Sequence, residues 1–276
     1  SLYNSLTTTK SVDDIKLRGK ELNLMKTYPY VKKVGNRIPV KANLNPVKDK
    51  RRDFDKDLML NSHCESGTIL VGSLLDQFIL EDTGKFSKSY FDGKRSEGYG
   101  GYYYNPKFFE GVAKDIVEYY KITKKSKVLE IGCAKGFLLY EIRKLVPGVS
   151  ITGIDISKYA IENAHPKIKR YLRTACVTKL PYKDKEFDLV ISINTLNEIS
   201  ETLLPKAIQE IERVKKTHSY ITFAGARNVR DLDKYNSWNV SAKSYFSINP
   251  WKRILMNSSY SGDYFMADIE GMHWKL

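Results

Sequence analysis

Val128-Leu129-Glu130-Ile131-Gly132-Cys133-Ala134-Lys135-Gly136-Phe137 runs from an apolar strand through a glycine-bearing turn into a helix. Glycine adopts unusual dihedrals and lets a ligand approach the backbone without meeting a side chain. A turn at the carboxyl end of a strand is where open α/β sheets bind ligands, so a nucleotide-like occupant is expected here. A dinucleotide would need Gly-x-Gly-x-x-Gly with its pyrophosphate on the helix N-terminus. Position 134 is Ala, the third glycine is missing, and Glu130 places a carboxylate at the strand tip where a pyrophosphate would meet like charge.

A cationic ligand suits this tip better. S-adenosylmethionine carries a sulfonium and an α-ammonium, which an acid attracts directly or through water. Asp155 ends the next apolar run, where an acid takes both hydroxyls of a ribose, and Ser157 behind it is a good helix N-cap.

Working outward, strand-like runs are expected at residues 127–131, 150–156, 170–175, 187–193 and 220–224. Helical stripes lie between most of them: Leu138, Ile142 and Leu145 in 137–145, and Ala207, Ile208 and Ile211 in 204–214. Before the first strand, Phe109, Val112, Ala113, Ile116, Val117 and Tyr120 recur at helical spacing after Pro106. Strands alternating with helices predict an α/β doubly wound Rossmann-like sheet. Burial on both faces explains the nearly continuous apolar run at 188–193. A helix near 250–257 and a strand at 263–269 follow. A helix is expected at 68–80 and a structured Gly/Tyr-rich loop at 85–104. The chain thus divides into an N-terminal extension or cap, 1–105, and a sheet domain, 106–276.

The 276 residues carry 46 Lys and Arg against 32 Asp and Glu, a net charge of +14, with 42% hydrophobic residues. Such a chain can bury a sizeable core, which argues against global disorder and small disulfide scaffolds. The charge points to a polyanion as one class of partner, yet it is spread out and dense only at 48–52 and 121–127. Cys64, Cys133 and Cys176 show no Cys-x-x-Cys spacing, and His63, His165, His218 and His273 show no metal-binding pairing, so no metal site is expected. The longest apolar runs are too short to cross a bilayer, and the polar start shows no export signal. A reducing, cytoplasmic setting is expected.

Residues 106–226 resemble class I S-adenosylmethionine-dependent methyltransferases. The resemblance rests on Glu130 to Gly136, on Gly153-Ile154-Asp155-Ile156, on Leu180-Pro181-Tyr182 leading to Phe187-Asp188-Leu189-Val190, and on Ile193-Asn194-Thr195-Leu196. It implies a mostly parallel sheet with an antiparallel C-terminal strand, and S-adenosylmethionine as cofactor. The implied cofactor residues are Glu130, Gly132, Cys133, Ala134, Gly136, Asp155, Ile156, Cys176, Val177 and Asn194. Two positions depart from the pattern: Ala134 stands where Gly is usual, and Cys176 where an acid often meets the adenine amino group. By resemblance the adenine lies between Ile156 and the backbone of Cys176 and Val177. A looser similarity, carried by Tyr90-Phe91-Asp92-Gly93, Gly98 to Tyr102, Ala226-Arg227-Asn228 and Tyr260 to Tyr264, is to bacterial enzymes of surface-sugar or specialised-metabolite pathways.

Methyl transfer from a sulfonium is a direct displacement that needs alignment and exclusion of water more than catalytic groups. Glu198, Asn197 and Tyr103 are the candidate catalytic residues. Asn197 stands where related enzymes often have His and cannot act as a base. Glu198 can, though it also suits the start of a helix. Tyr99, Tyr102, Arg227 and Trp238 are the candidate substrate-binding residues, the tyrosines as part of a lid hinged on glycines. The expected acceptor is a small metabolite methylated on O or N, with sugar-like and anionic, phosphorylated molecules among the candidates. Two alternatives stay open: a methyltransferase-like binding module, or an RNA-directed methyltransferase, either using the basic extension. Nucleic acid is the less expected partner, because the motif after the fourth strand lacks the Asn-Pro-Pro-Tyr type. The oligomeric state is not set by the sequence.

Overall fold

The structure is a computed structural model that describes residues 40–41, 85–226, 231, 235, 241–244 and 246–267. The helix expected at 68–80, most of the extension, and the end of the strand expected to 269 lie outside these residues.

Seven strands form one sheet: β1 (Val40–Lys41), β2 (Lys127–Ile131), β3 (Ser150–Asp155), β4 (Leu172–Thr174), β5 (Phe187–Ile193), β6 (Lys215–Ala224) and β7 (Asp263–Ala267). Their order is β1-β7-β6-β5-β2-β3-β4. From β2 the chain moves outward through β3 to β4, then returns to β5 on the other side and proceeds to β6 and β7. The direction of winding reverses between β2 and β5, and a crevice opens there at the carboxyl ends of the strands.

The helices are α1 (Lys88–Asp92), α2 (Pro106–Tyr119), α3 (Phe137–Leu145), α4 (Lys158–Glu162), α5 (Leu204–Val214) and α6 (Ile248–Asn257). Side chains alternate along each strand, so each strand feeds two cores. Val128, Leu189, Ile191 and Tyr220 meet Val112, Ile116, Leu138 and Ile142 of α2 and α3. Leu129, Ile131, Val190, Ile221 and Phe223 meet Ile208 and Ile211 of α5 and Trp251 and Leu255 of α6. This two-sided burial is why β5 reads as an almost unbroken apolar run. Among the described residues, no helix is long and apolar enough to cross a membrane.

One expectation is corrected. The C-terminal strand is parallel to β6, with Tyr220 opposite Asp263 and Ala224 opposite Ala267, and not antiparallel. The reason is local: α6 carries the chain back along the sheet between β6 and β7, so β7 enters in the same direction, as in any strand-helix-strand crossover. The antiparallel partner is instead β1, with Val40 opposite Tyr264. The loop expected at 85–104 contains the short helix α1 and folds back through Tyr99 N–H to Tyr90 C=O (2.8 Å) and Gly101 N–H to Phe91 C=O (3.1 Å).

Candidate functional site

The glycine turn is held from behind by the next strand. Gly132 and Cys133 both donate backbone N–H groups to the Ile154 carbonyl, at 2.8 and 2.9 Å. Gly132 (φ 72°), Ala134 (φ 48°) and Gly136 (φ 76°) all occupy the left-handed region. At Gly132 a Cβ would lie 2.0 Å from Thr195 Oγ1, so this position requires glycine on space as well as conformation, whereas at Gly136 it would meet the end of the Ile168 side chain, Cδ1, at 2.4 Å and the positive φ is the firmer requirement. Ala134 tolerates the same region, and its N–H donates to Asp155 Oδ2 (2.8 Å).

Asp155 therefore joins the first two strand ends. Its second oxygen accepts from Ser157 N–H at 2.8 Å, and the Ser157 hydroxyl caps α4 through Ala160 N–H at 3.0 Å. Burial pushes Asp155 up to about 6, against the pull of the Ser157, Ala134 and Ile156 backbone N–H groups. Glu130 is buried, its Oε2 has no hydrogen-bond partner, and burial followed by the nearby Asp155 charge pushes it well above the usual carboxylate range. A buried acid in this condition is stabilised by a nearby cation.

Beyond β5, Asn194 (φ 54°) uses the tolerance of Asn for the left-handed region. Its side-chain oxygen accepts from Thr222 Oγ1 at 3.0 Å. The Thr195 hydroxyl reaches the Ile131 and Ile193 carbonyls, each at 3.3 Å, and ties the tips of β2 and β5 together.

A cleft enclosing about 880 Å³, part of it open to solvent, lies over these strand ends. Gly132, Ala134, Asp155, Ile156, Cys176, Val177, Asn194, Tyr99 and Glu198 all line it. Glu130, Cys133 and Gly136 shape the turn without lining the cleft. Burial raises the Cys133 thiol well above its usual value, which keeps it un-ionised and inert. Among the described residues no group of His, Cys, Asp and Glu could hold a metal ion.

Three residues singled out from the sequence lie elsewhere. Asn197 is turned into the protein: its amide donates to the Ala224 (3.1 Å) and Ser244 (2.8 Å) carbonyls, and its oxygen accepts from Ala224 N–H (2.7 Å). It fastens the ends of β5 and β6. Tyr103 is 74% exposed and does not reach the cleft. Tyr102 stacks on Phe137 with ring centroids 5.4 Å apart and supports the wall from behind. Arg227 and Trp238 lie outside the described residues.

Sequence reasoning expected a tyrosine lid but missed the earlier residues of the strap on one side of the cleft. Phe86, Tyr90 and Phe91 line it together with Tyr99. On one flank the Lys135 ammonium, buried within the glycine turn, donates to both Asp92 carboxylate oxygens at 2.7 Å and to the Tyr102 carbonyl at 3.1 Å. The Tyr159 hydroxyl also donates to Asp92, at 2.7 Å. Burial raises Asp92, but the bonds from Lys135 and Tyr159 outweigh it and leave its carboxyl below the usual range. On the other flank Lys85 donates to the Ser241 carbonyl (2.5 Å), and the Tyr90 hydroxyl lies 3.1 Å from Ser241 Oγ. The signal for Asp92 was present, because a lysine inside a turn of small residues needs a counter-charge, but the sequence does not say which acid supplies it.

A family model described as a methyltransferase domain matches residues 122–262, slightly more than half of the chain. The chain is 28% identical over 139 residues to a malonyl-[acyl-carrier protein] O-methyltransferase of Legionella pneumophila, covering 48% of this chain and 47% of the relative. It is 30% identical over 145 residues to the uncharacterized protein MJ1252 of Methanocaldococcus jannaschii, covering 52% and 53%. The chain thus spans about half the length of the curated relatives it matches. Among solved structures, the MccD protein aligns over 52% of this chain and 68% of its own, with 26% identity and a TM-score of 0.43.

Proposed function

The chain belongs to the methyltransferase-domain family, whose donor is S-adenosylmethionine, and from that premise we propose that it methylates an O or N atom of a small acceptor. The observation that carries this reading is the juxtaposition of a left-handed, side-chain-free turn at Gly132 with the Asp155 carboxylate and the buried, uncompensated Glu130. A cationic nucleoside fits that combination and a diphosphate does not.

S-adenosylmethionine supplies an electrophilic methyl group on a sulfonium. Asp155 would accept the ribose hydroxyls, Ile156 and Val177 would flank the adenine, and Gly132 and Asn194 would border the amino-acid end, while the Glu130 carboxyl behind the turn, whose ionisation burial disfavours, would gain a cation to ionise against. Glu198, which lines the cleft after β5, would accept a proton from an acceptor. Phe86, Tyr90, Phe91 and Tyr99 would exclude water. Of the finer expectations, an anionic acceptor has the least support: the charged side chains lining the cleft among the described residues are Asp155 and Glu198, both acids.

The test is transfer of labelled methyl from S-adenosylmethionine to a small-molecule fraction. Incorporation into protein or RNA alone would overturn the small-acceptor reading.

Two expectations follow. Asp155, at about 6, sits above its unfolded value of 3.8, so the fold favours its neutral form. Its contribution to stability is complete below the unfolded value and is lost as the pH rises through the folded one. Ribose binding runs the other way, because taking two hydroxyl hydrogens calls for the ionised carboxylate. Affinity for S-adenosylhomocysteine is expected to fall by up to about tenfold per pH unit of acidification below the Asp155 value, and to be level well above it. Calorimetry across that range checks this, and Asp155→Asn should flatten the profile. The second expectation concerns the strap: Asp92→Asn leaves the Lys135 ammonium without its counter-charge, and dissociation of S-adenosylhomocysteine should accelerate roughly tenfold. Stopped-flow release is the measurement, and an unchanged rate in a folded variant would refute the strap's role.

A further inference from the structure

One wall of the cleft is aromatic. Four rings line it: Phe86 and Tyr90 lie edge to face at 4.9 Å, Tyr90 and Tyr99 at 5.3 Å, and Phe91 stacks on Tyr99 at 5.8 Å. The Glu198 carboxylate lines the same cleft. Ser241 holds Tyr90 by its hydroxyl, so the ring is fixed in place. Burial, with Tyr99 and then Glu198 adding, raises the Tyr90 phenol, which therefore stays neutral and keeps an intact ring face for a cation. Two lysines stand at this wall and both have partners: the Lys85 ammonium lies 5.5 Å from the Phe86 ring centroid and donates to the Ser241 carbonyl, and Lys135 donates to Asp92 and the Tyr102 carbonyl.

Aromatic faces beside a carboxylate are the chemistry that recognises an ammonium. The reaction itself sharpens the point. When an oxyanion takes a methyl from a sulfonium, two opposite charges cancel, and a wall that stabilises cations favours the starting state over the transition state. When a neutral amine takes the methyl, positive charge moves from sulfur to nitrogen and is conserved, so the same wall remains useful throughout.

Resting on the methyltransferase reading above, we infer that the acceptor is an amine and that Glu198 with the Tyr90 and Tyr99 rings forms its ammonium-recognition site. The acceptor nitrogen arrives protonated and loses one proton to Glu198, which passes it to water. Its lone pair then forms the N–C bond, the electron pair of the broken C–S bond stays on sulfur as a thioether, and the nitrogen ends as a methylated ammonium.

The experiment titrates tetramethylammonium, acetate and inorganic phosphate separately into the full chain saturated with S-adenosylhomocysteine, read by calorimetry or by line broadening of the probe. Tetramethylammonium should bind at least about tenfold more tightly than either anion, as expected for a desolvated aromatic site. Glu198→Gln and Tyr90→Leu should each weaken it about tenfold, while Tyr90→Phe, which keeps the ring, should hold it within about twofold. Phosphate or acetate binding as tightly as the cation would overturn the inference, as would unchanged cation binding in Glu198→Gln. Binding of S-adenosylhomocysteine is measured first. Its absence overturns the methyltransferase reading, whereas its presence without a preference for the cation overturns the amine acceptor alone.

Discussion

Gly132→Ala is expected to lower affinity for S-adenosylhomocysteine at least about 100-fold, a loss of roughly 2.7 kcal/mol. The added methyl would stand 2.0 Å from Thr195 Oγ1, a separation that real Cβ atoms do not adopt, at a φ of 72°. The turn must therefore shift. Thr195 also fixes the tips of β2 and β5, so the shift spreads to the floor of the cleft. Left-handed backbone alone costs a non-glycine residue roughly 1–2 kcal/mol, and Gly148→Ala separates the two effects. Gly148 has φ 93°, but a Cβ there meets Lys124 no closer than 3.5 Å, far from the cleft in the chain's topology. That variant should lose about 1 kcal/mol of stability in denaturant unfolding and bind the ligand like the parent. Equal ligand affinity in Gly132→Ala and Gly148→Ala would mean that the turn at 132 does not face the cofactor.

Asp155→Ala is expected to have a comparable effect on binding and a larger one on stability. The carboxylate accepts from Ala134 and Ser157 N–H groups, both buried, and its removal leaves two donors without partners. Each buried unsatisfied group costs roughly 1–3 kcal/mol. Because one of those donors belongs to the glycine turn, the turn loses its tie to β3 as the ribose site disappears. Affinity should fall about 100-fold, with thermal unfolding shifted down. Asp155→Asn keeps the shape with one acceptor oxygen and should fall between the parent and Asp155→Ala on both scales. A variant with full affinity would remove Asp155 from the site.

The parts of this molecule that could be read from sequence are those in which a local pattern and a global role coincide. The turn at 132–136 is one: glycine spacing, a strand tip and a helix start all demand the same backbone. β2 and β5 are another, because burial on both faces imposes apolar runs. Where the two diverge, reading fails. β6 starts at Lys215 and was expected only from 220, because Lys215 to His218 lie at the exposed end of the strand and carry no apolar signal. The direction of β7 follows from the crossover through α6 and not from any residue within the strand. Among the tyrosines of the strap, Tyr99 faces the cleft and Tyr103 faces solvent. Gly100 and Gly101, at φ 74° and 110°, redirect the chain between them, and periodicity has nothing to say about such a segment. Asn197 and Glu198 are neighbours in one short 3-10 turn, so one points inward to Ala224 while the other lines the rim. The sequence does not show which of the two neighbours turns inward.

The most direct test of the central claim, that the acidic, side-chain-free turn holds a cationic nucleoside, is isothermal titration of the purified chain with S-adenosylhomocysteine and, separately, with a nicotinamide dinucleotide. A single saturating site for S-adenosylhomocysteine, absent for the dinucleotide and lost in Gly132→Ala, is the predicted result. No heat with S-adenosylhomocysteine at high protein concentration, or saturable binding of the dinucleotide in its place, would contradict it.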